Sequence, residues 1–449
     1  MSPSQGMARA VHPFVHHPNR TFLSLSIPIL FSMIAEPLTG LADTAFIARL
    51  GSAPLAALGV GAVMLSGIFW VFNFLSVGSQ TEVGKALGRG QENRAAEIGY
   101  LALLVGFILG ILLISIVWWV VPVLTAYMGA EDGVHVMATQ YVKIRLLGAP
   151  AILTMIAAFG ILRGLQDMQT PLWIAVGVNG LNILLDLVLI FGFGPIPALG
   201  IAGAAMATVI SQWSGSLTIL FIIFRRLERP SQLKAEDTRR LFQIGWDMFV
   251  RTGLLLFYLI MATRTATKIG TEAGAAHQAI RQFWTFTALF LDAYSVAAQS
   301  LIAFFMGRDD LHNAMRVARL ICVWSVITGC VLTLSMLGGQ ALFITLFVPV
   351  KAVAVFTMPW IIASLSQPVN SIAFATDGIH WGTGDFGYLR NGMIAATGVG
   401  MIGILLLESR ESVSLEELWI VTAIWIFIRA AAGTIRVWPG IGKSPLRAG

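Results

Sequence analysis

The chain has 449 residues, of which 57% are hydrophobic and only 12% charged, with a formal net charge of +6. Soluble domains carry about 25% charged residues and need them to cover their surface, so the composition excludes a water-soluble enzyme and points to a lipid solvent. The chain holds no Gly-x4-Gly-Lys-Ser/Thr phosphate loop, which excludes ATP hydrolysis by that route.

A hydrocarbon core about 30 Å thick needs about 20 apolar residues per helix. Runs of that kind predict twelve spans in chain order, over 20–48, 54–80, 94–121, 132–160, 170–192, 198–225, 240–268, 273–305, 312–337, 350–376, 387–408 and 414–438. Residues 1–19 form a tail that lacks the apolar core of a cleavable signal. Its His12, His16 and His17 are expected to be tail residues and not metal ligands. A basic stretch with Arg225, Arg226, Arg229, Lys234, Arg239 and Arg240 falls near mid-chain and reads as a linker. The expected organisation is therefore a tail (1–19), a first lobe (20–225), a linker (226–239), a second lobe (240–438) and a closing tail (439–449). Lys and Arg concentrate in alternate loops, among them Lys85, Arg89, Arg94, Arg163, Arg308, Arg316 and Arg319. By the positive-inside rule, both termini face the cytoplasm of a multi-pass cell-membrane protein.

The sequence repeats. Shifted by about 219 positions, Thr44, Ser76, Gln80, Gly88, Arg89 and Gly110 fall on Thr263, Ser295, Gln299, Gly307, Arg308 and Gly329. Shifted by about 218, Gly160, Gly164, Asp167 and Gly180 fall on Gly378, Gly382, Asp385 and Gly398. The expected fold is all-α, with two six-helix lobes related by a pseudo-twofold axis along the membrane normal, a plan used by secondary transporters. The repeat also shows what is not shared. Asp43 falls on Ala262, Asn182 on Gly400, Asp186 on Ile404 and Pro28 on Asp247.

An aspartate inside a span is costly unless it meets water or a partner. At about 1.5 Å per residue, Asp43 and Asp186 come to similar depths in the outer half of the bilayer. Asn182 shares a helix face with Asp186, and Tyr141 and Thr208 reach the same level. Two carboxylates there repel, and loss of water adds to the cost of their charge, so a proton relieves the site, or Na⁺ at Asp43, Asn182 and Asp186. Other charges within spans, Glu36, Asp247, Arg251, Arg264, Arg281 and Arg429, read as helix-to-helix pairs. Asp377, before Gly378, reads as a turn residue.

The segments Gly40-Leu41-Ala42-Asp43-Thr44-Ala45-Phe46-Ile47-Ala48-Arg49-Leu50-Gly51, Leu162-Arg163-Gly164-Leu165-Gln166-Asp167-Met168-Gln169-Thr170-Pro171, Asn182 to Asp186 and Ala207-Thr208 resemble the signatures of the multidrug and toxic compound extrusion (MATE) transporters. Asp377-Gly378 through Gly384-Asp385-Phe386 is similar to their DinF-like branch. Phe159, Gly160 and Ile161 depart from the pattern, because many relatives carry a polar residue before the Leu162-Arg163-Gly164 motif. The resemblance implies a cation-coupled antiporter, H⁺ before Na⁺, that exports organic and often cationic compounds by alternating access. It implies a cation site of Asp43, Tyr141, Asn182, Asp186 and Thr208, and a first helix bent at Pro28, with Pro37 as second candidate. The expected partners are a small organic substrate and membrane lipid. No cofactor beyond the coupling ion, no nucleic acid and no second subunit are called for. The alternative is a flippase for lipid-linked precursors of the same superfamily.

Overall fold

The computed structural model describes residues 11–228, 230 and 235–447. Arg229 and Lys234, part of the basic stretch read above as a linker, lie outside the described residues. The helices are α1 (Pro13–His16), α2 (Pro18–Ala48), α3 (Ser52–Trp70), α4 (Phe74–Gly88), α5 (Glu92–Tyr127), α6 (Asp132–Leu146), α7 (Ala149–Gly164), α8 (Gln169–Phe191), α9 (Ile201–Arg226), α10 (Ala235–Ile269), α11 (Thr271–Gly307), α12 (Leu311–Gly338), α13 (Gln340–Phe347), α14 (Val353–Leu365), α15 (Gln367–Thr383), α16 (Phe386–Glu408) and α17 (Leu415–Val437). Among the described residues ten helices are long and apolar enough to cross a membrane, and twelve spans result if two bent pairs each count once.

Those pairs were expected as unbroken helices. The structure bends α6 against α7 by 51° and α14 against α15 by 45°. Pro150 and Pro368 stand just inside the second member of each pair. Proline removes a backbone donor and disfavours helix in the residue before it, so each span breaks there. The two prolines are one repeat apart. Carbonyls at the breaks are recaptured: Trp213 Nε1 donates to Leu147 O at 3.1 Å, and Thr333 Oγ1 to Ser364 O at 2.7 Å. Within a membrane such recapture is what makes irregular backbone tolerable.

The described chain divides into two compact units, residues 27–245 and residues 11–26 with 246–447. The dividing points, between 26 and 27 and between 245 and 246, are themselves one repeat apart and fall inside α2 and α10. The lobes expected over 20–225 and 240–438 place these boundaries differently, because local packing sets them. Phe22 lies 5.5 Å from Tyr294, and Trp324 Nε1 donates to Asn19 Oδ1 at 3.0 Å. Residues 11–19 are also structured. His12 Nδ1 accepts from Phe14 N at 3.1 Å, and buried Phe14 meets Phe305 at 5.7 Å. The expected linker over 226–239 is shorter, because Ala235 to Arg240 already belong to α10, whose first turn carries Glu236 and Asp237. Acids there complement the helix dipole.

Each unit repeats one packing device. In the unit of 27–245 a Cβ on Gly110 would stand 2.4 Å from Pro150 Cα, and one on Gly160 2.4 Å from Ser76 O. In the other unit a Cβ on Gly329 would stand 2.8 Å from Pro368 Cα, and one on Gly378 2.4 Å from Ser295 O. These helices touch through backbone, which only glycine permits, and small residues are how helices associate in lipid. The repeated glycines seen in the sequence are the contact points of two similarly built bundles.

Candidate functional site

In the unit of 27–245, α2, α6, α8 and α9 bring five expected side chains together. Asp186 is fully buried on α8, and Asn182 stands one turn before it. Asn182 Nδ2 donates to Thr208 Oγ1 of α9 at 3.3 Å, while that hydroxyl donates to Ala204 O at 3.0 Å. Thr208 is thereby held as an acceptor for the amide. From α2, Asp43 turns its carboxyl toward that of Asp186 within hydrogen-bonding range. Tyr141 of α6 is buried near both acids. Gly61 of α3 makes room for its ring, because a Cβ there would stand 2.5 Å from Tyr141 Cδ1.

The site has acceptors without donors. Among the described residues no N–H or O–H reaches Asp43 Oδ1, Asn182 Oδ1 or either carboxyl oxygen of Asp186, and all four atoms are buried. Buried polar atoms are nearly always paired, so four orphaned oxygens mark a place suited to a small cation or proton. The donor set is all oxygen, which suits a hard ion such as Na⁺ as well as a proton.

Sequence reasoning missed Arg145. It stands one turn beyond Tyr141 in the last turn of α6, just before the bend. Its side chain lies near the Tyr141 hydroxyl and acts on both acids through space. The negative end of the α6 dipole favours a cation in that position. Arg145 balances one carboxylate, so the ionised cluster carries one negative charge in excess. The one trace in the sequence is its spacing of four from Tyr141, which carries no weight until the end of α6 is known. Gly61 gave none, being one of 45 glycines.

Pro28 lies inside α2, whose helix runs on through it and Pro37. It is two residues beyond the division between the units. Ser26 and Ser32 on either side donate back to Phe22 O at 2.8 Å and Ile29 O at 2.7 Å. Such back-bonding, like proline, softens and bends a helix.

The Leu162 to Pro171 segment serves as a clamp. Asp167 accepts from Gln169 N at 3.1 Å, Thr170 N at 2.9 Å and Thr170 Oγ1 at 2.6 Å, and pairs with Arg226 at the end of α9. Burial alone pushes this carboxyl up. The Thr170 donors and Arg226 outweigh it and hold Asp167 below its ordinary value of 3.8. Phe159, at the departure from the family pattern, carries the Arg163 guanidinium over its ring at 5.6 Å.

Comparisons with known proteins give the family. Residues 28–188 match the MatE family model. Over 436 residues the chain is 30% identical to Protein DETOXIFICATION 44, chloroplastic, of Arabidopsis thaliana, covering 92% of this chain and 81% of that relative. The chain belongs to the MATE family. As a MATE protein it is a multi-pass membrane transporter and not an enzyme. It is also 26% identical over 426 residues to DNA damage-inducible protein F of Escherichia coli (strain K12), covering 93% of this chain and 91% of that one. A solved structure described as MATE in the bent conformation matches this MATE chain with a TM-score of 0.89 at 20% identity, over 100% of this chain and 99% of that one.

Of the charges expected to pair between helices, Asp247, Arg251, Arg264 and Arg429 do, while Glu36 and Arg281 are in no ion pair among the described residues. Asp247 accepts from Arg390 at 2.6 Å, and Arg264 meets Glu408 at 3.7 Å. The expectation for Asp377 is corrected. It stands inside α15, buried and paired with Arg251 and Arg429, not in a turn. The Gly378 after it serves the close approach to Ser295 and so gives the dipeptide the look of a turn.

Proposed function

We propose that this MATE protein is a cation-coupled antiporter, driven by H⁺ before Na⁺, that exports organic and often cationic compounds by alternating access. In this reading it works as a single chain in the cell membrane with both termini in the cytoplasm. Asp43, Asn182 and Asp186 hold the coupling ion, with Tyr141 and Thr208 around them. The observation that carries the reading is the facing pair Asp43 and Asp186, with oxygens that lack donors. One monovalent cation cancels the excess charge left after Arg145. A proton shared between the carboxyls removes their repulsion and supplies the missing donor in one step. An organic cation competing for the same oxygens would be displaced by that proton, which gives exchange.

In the same reading α2 bends at Pro28 when the acid pair is neutralised. Pro28 lies 15 residues from Asp43, about 22 Å along the axis, so the change travels down one helix. The test is export of a fluorescent cationic dye from proteoliposomes under an imposed pH gradient and, separately, an imposed Na⁺ gradient. Dye movement against its own gradient in the first supports H⁺ coupling, and in the second only, Na⁺. Movement in neither removes cation coupling.

A further inference from the structure

Arg251 of α10, Asp377 of α15 and Arg429 of α17 meet inside the unit of residues 11–26 and 246–447. Asp377 Oδ2 accepts from Arg251 Nη2, and from Arg429 Nη2 at 3.2 Å. The three side chains are only 8%, 9% and 4% exposed. Asp377 and Arg429 stand about 9 Å and 12 Å in from the ends of their helices. Single charges at such depth are costly and are found paired.

Here the pairing is incomplete. One carboxylate balances one guanidinium and leaves one positive charge over. Arg251 Nε, Arg429 Nε and Arg429 Nη1 are buried without an acceptor. The surroundings are aromatic. Trp381 lies 5.3 Å from the Arg251 guanidinium, and Trp425 and Phe374 lie 4.7 and 5.9 Å from that of Arg429. Ring faces attract a cation, but they accept little from N–H groups in the guanidinium plane. The donors without partners and the excess positive charge call for the same thing, a negatively charged acceptor.

We propose that Arg251 and Arg429 form an anion site in this unit, taking one compact monovalent anion against their unpaired N–H groups. The chemistry fits a halide or the carboxylate of a small organic acid. Asp377 positions the two guanidiniums and limits the site's charge to what one such anion neutralises. The site shares no residue with the acid pair of the other unit and stands whether or not that pair couples transport.

The test uses the purified full-length protein in detergent and a zwitterionic buffer, titrated with sodium bromide or sodium acetate in exchange for sodium sulfate, so that Na⁺ stays constant. The thermal unfolding midpoint is the readout, because a ligand held by the folded state alone raises it saturably. We expect a saturable rise in wild type that Arg429→Gln abolishes, since that variant leaves a neutral Arg251–Asp377 pair. Asp377→Asn leaves both guanidiniums uncompensated and should respond at tenfold or more lower concentration. A rise with bromide assigns a halide, and a rise with acetate alone assigns the carboxylate of an organic acid. Crystals grown in bromide should show an anomalous peak against Arg429 in the halide case. No saturable rise with either salt, or the same rise in wild type and Arg429→Gln, would overturn the site and leave a structural ion cluster. If Arg429→Gln does not fold, Asp377→Asn decides, and an unshifted response overturns the site.

Discussion

Asp43 on α2 and Asp186 on α8 present carboxyls to each other across a gap that no donor enters, with Arg145 of α6 beside them. The arrangement is tolerable for ionised acids only with a cation between them, and for a protonated acid without one. Neutralising one acid by substitution should therefore mimic the loaded state permanently. We predict that Asp186→Asn inserts, folds and binds substrate no better than a tenth as well as wild type. Equilibrium dye binding to the detergent-solubilised protein measures this, and wild-type affinity would count against a shared cation and substrate site.

Arg145 sets how many cations the site needs. In Arg145→Gln two carboxylates face each other uncompensated, and one proton no longer restores neutrality. Gradient-driven export should fall at least tenfold, while Arg145→Lys keeps most of it. Initial rates in proteoliposomes compare the two. Equal rates in both variants and wild type would make Arg145 a bystander.

Pro28→Ala should restore the backbone hydrogen bond that proline removes and stiffen α2. Substrate binding should persist while export falls by tenfold or more. Full export, or the same α2 geometry at low and high pH, would take the bend out of the mechanism.

Asp167 ties α8 to α9 through Thr170 and Arg226. Its carboxyl is held below 3.8, so its contribution to stability is complete above that pH and is lost as pH falls through the lowered value. Asp167→Ala removes helix-capping acceptors worth about 1 kcal/mol. The thermal midpoint at neutral pH should fall by a few degrees, and the remaining acid sensitivity should be shallower than in wild type. An unchanged acid limb in the melting series would contradict this.

A methyl group at Gly110 has nowhere to go, with Pro150 Cα 2.4 Å away, whereas nothing lies within 4 Å of one at Gly180. Gly110→Ala should cost about 1–3 kcal/mol by overpacking, and Gly180→Ala should cost none. Paired melts of the two variants check this. Equal stability would mean α5 and α7 can separate freely.

The acids were legible because the repeat is not perfect. Asp43 faces alanine in the second half and Asp186 isoleucine, and a charge kept in lipid by one copy alone asks for a use. The close-packed glycines were legible because they recur in register. Arg145 was obscured because its value depends on where α6 ends. A helix drawn straight from 132 to 160 gives no reason for a cation at 145. The break one turn later was marked by Gly148 and Pro150, and by Pro368 one repeat on. The division at Ser26 and Ile27 left no local mark, since it depends on Phe22 meeting Tyr294 far along the chain. Asp377 was misread for a similar reason. Its two arginines lie on α10 and α17, over fifty residues away in either direction.

The most direct measurement is dye export by Asp43→Asn in proteoliposomes, with and without an imposed pH gradient, beside wild type at equal protein content. Asn keeps the shape of the side chain and carries no exchangeable proton. The account predicts that wild type moves dye uphill when the gradient is applied and that Asp43→Asn does not, at the same melting temperature. Uphill export by Asp43→Asn at the wild-type rate would contradict it.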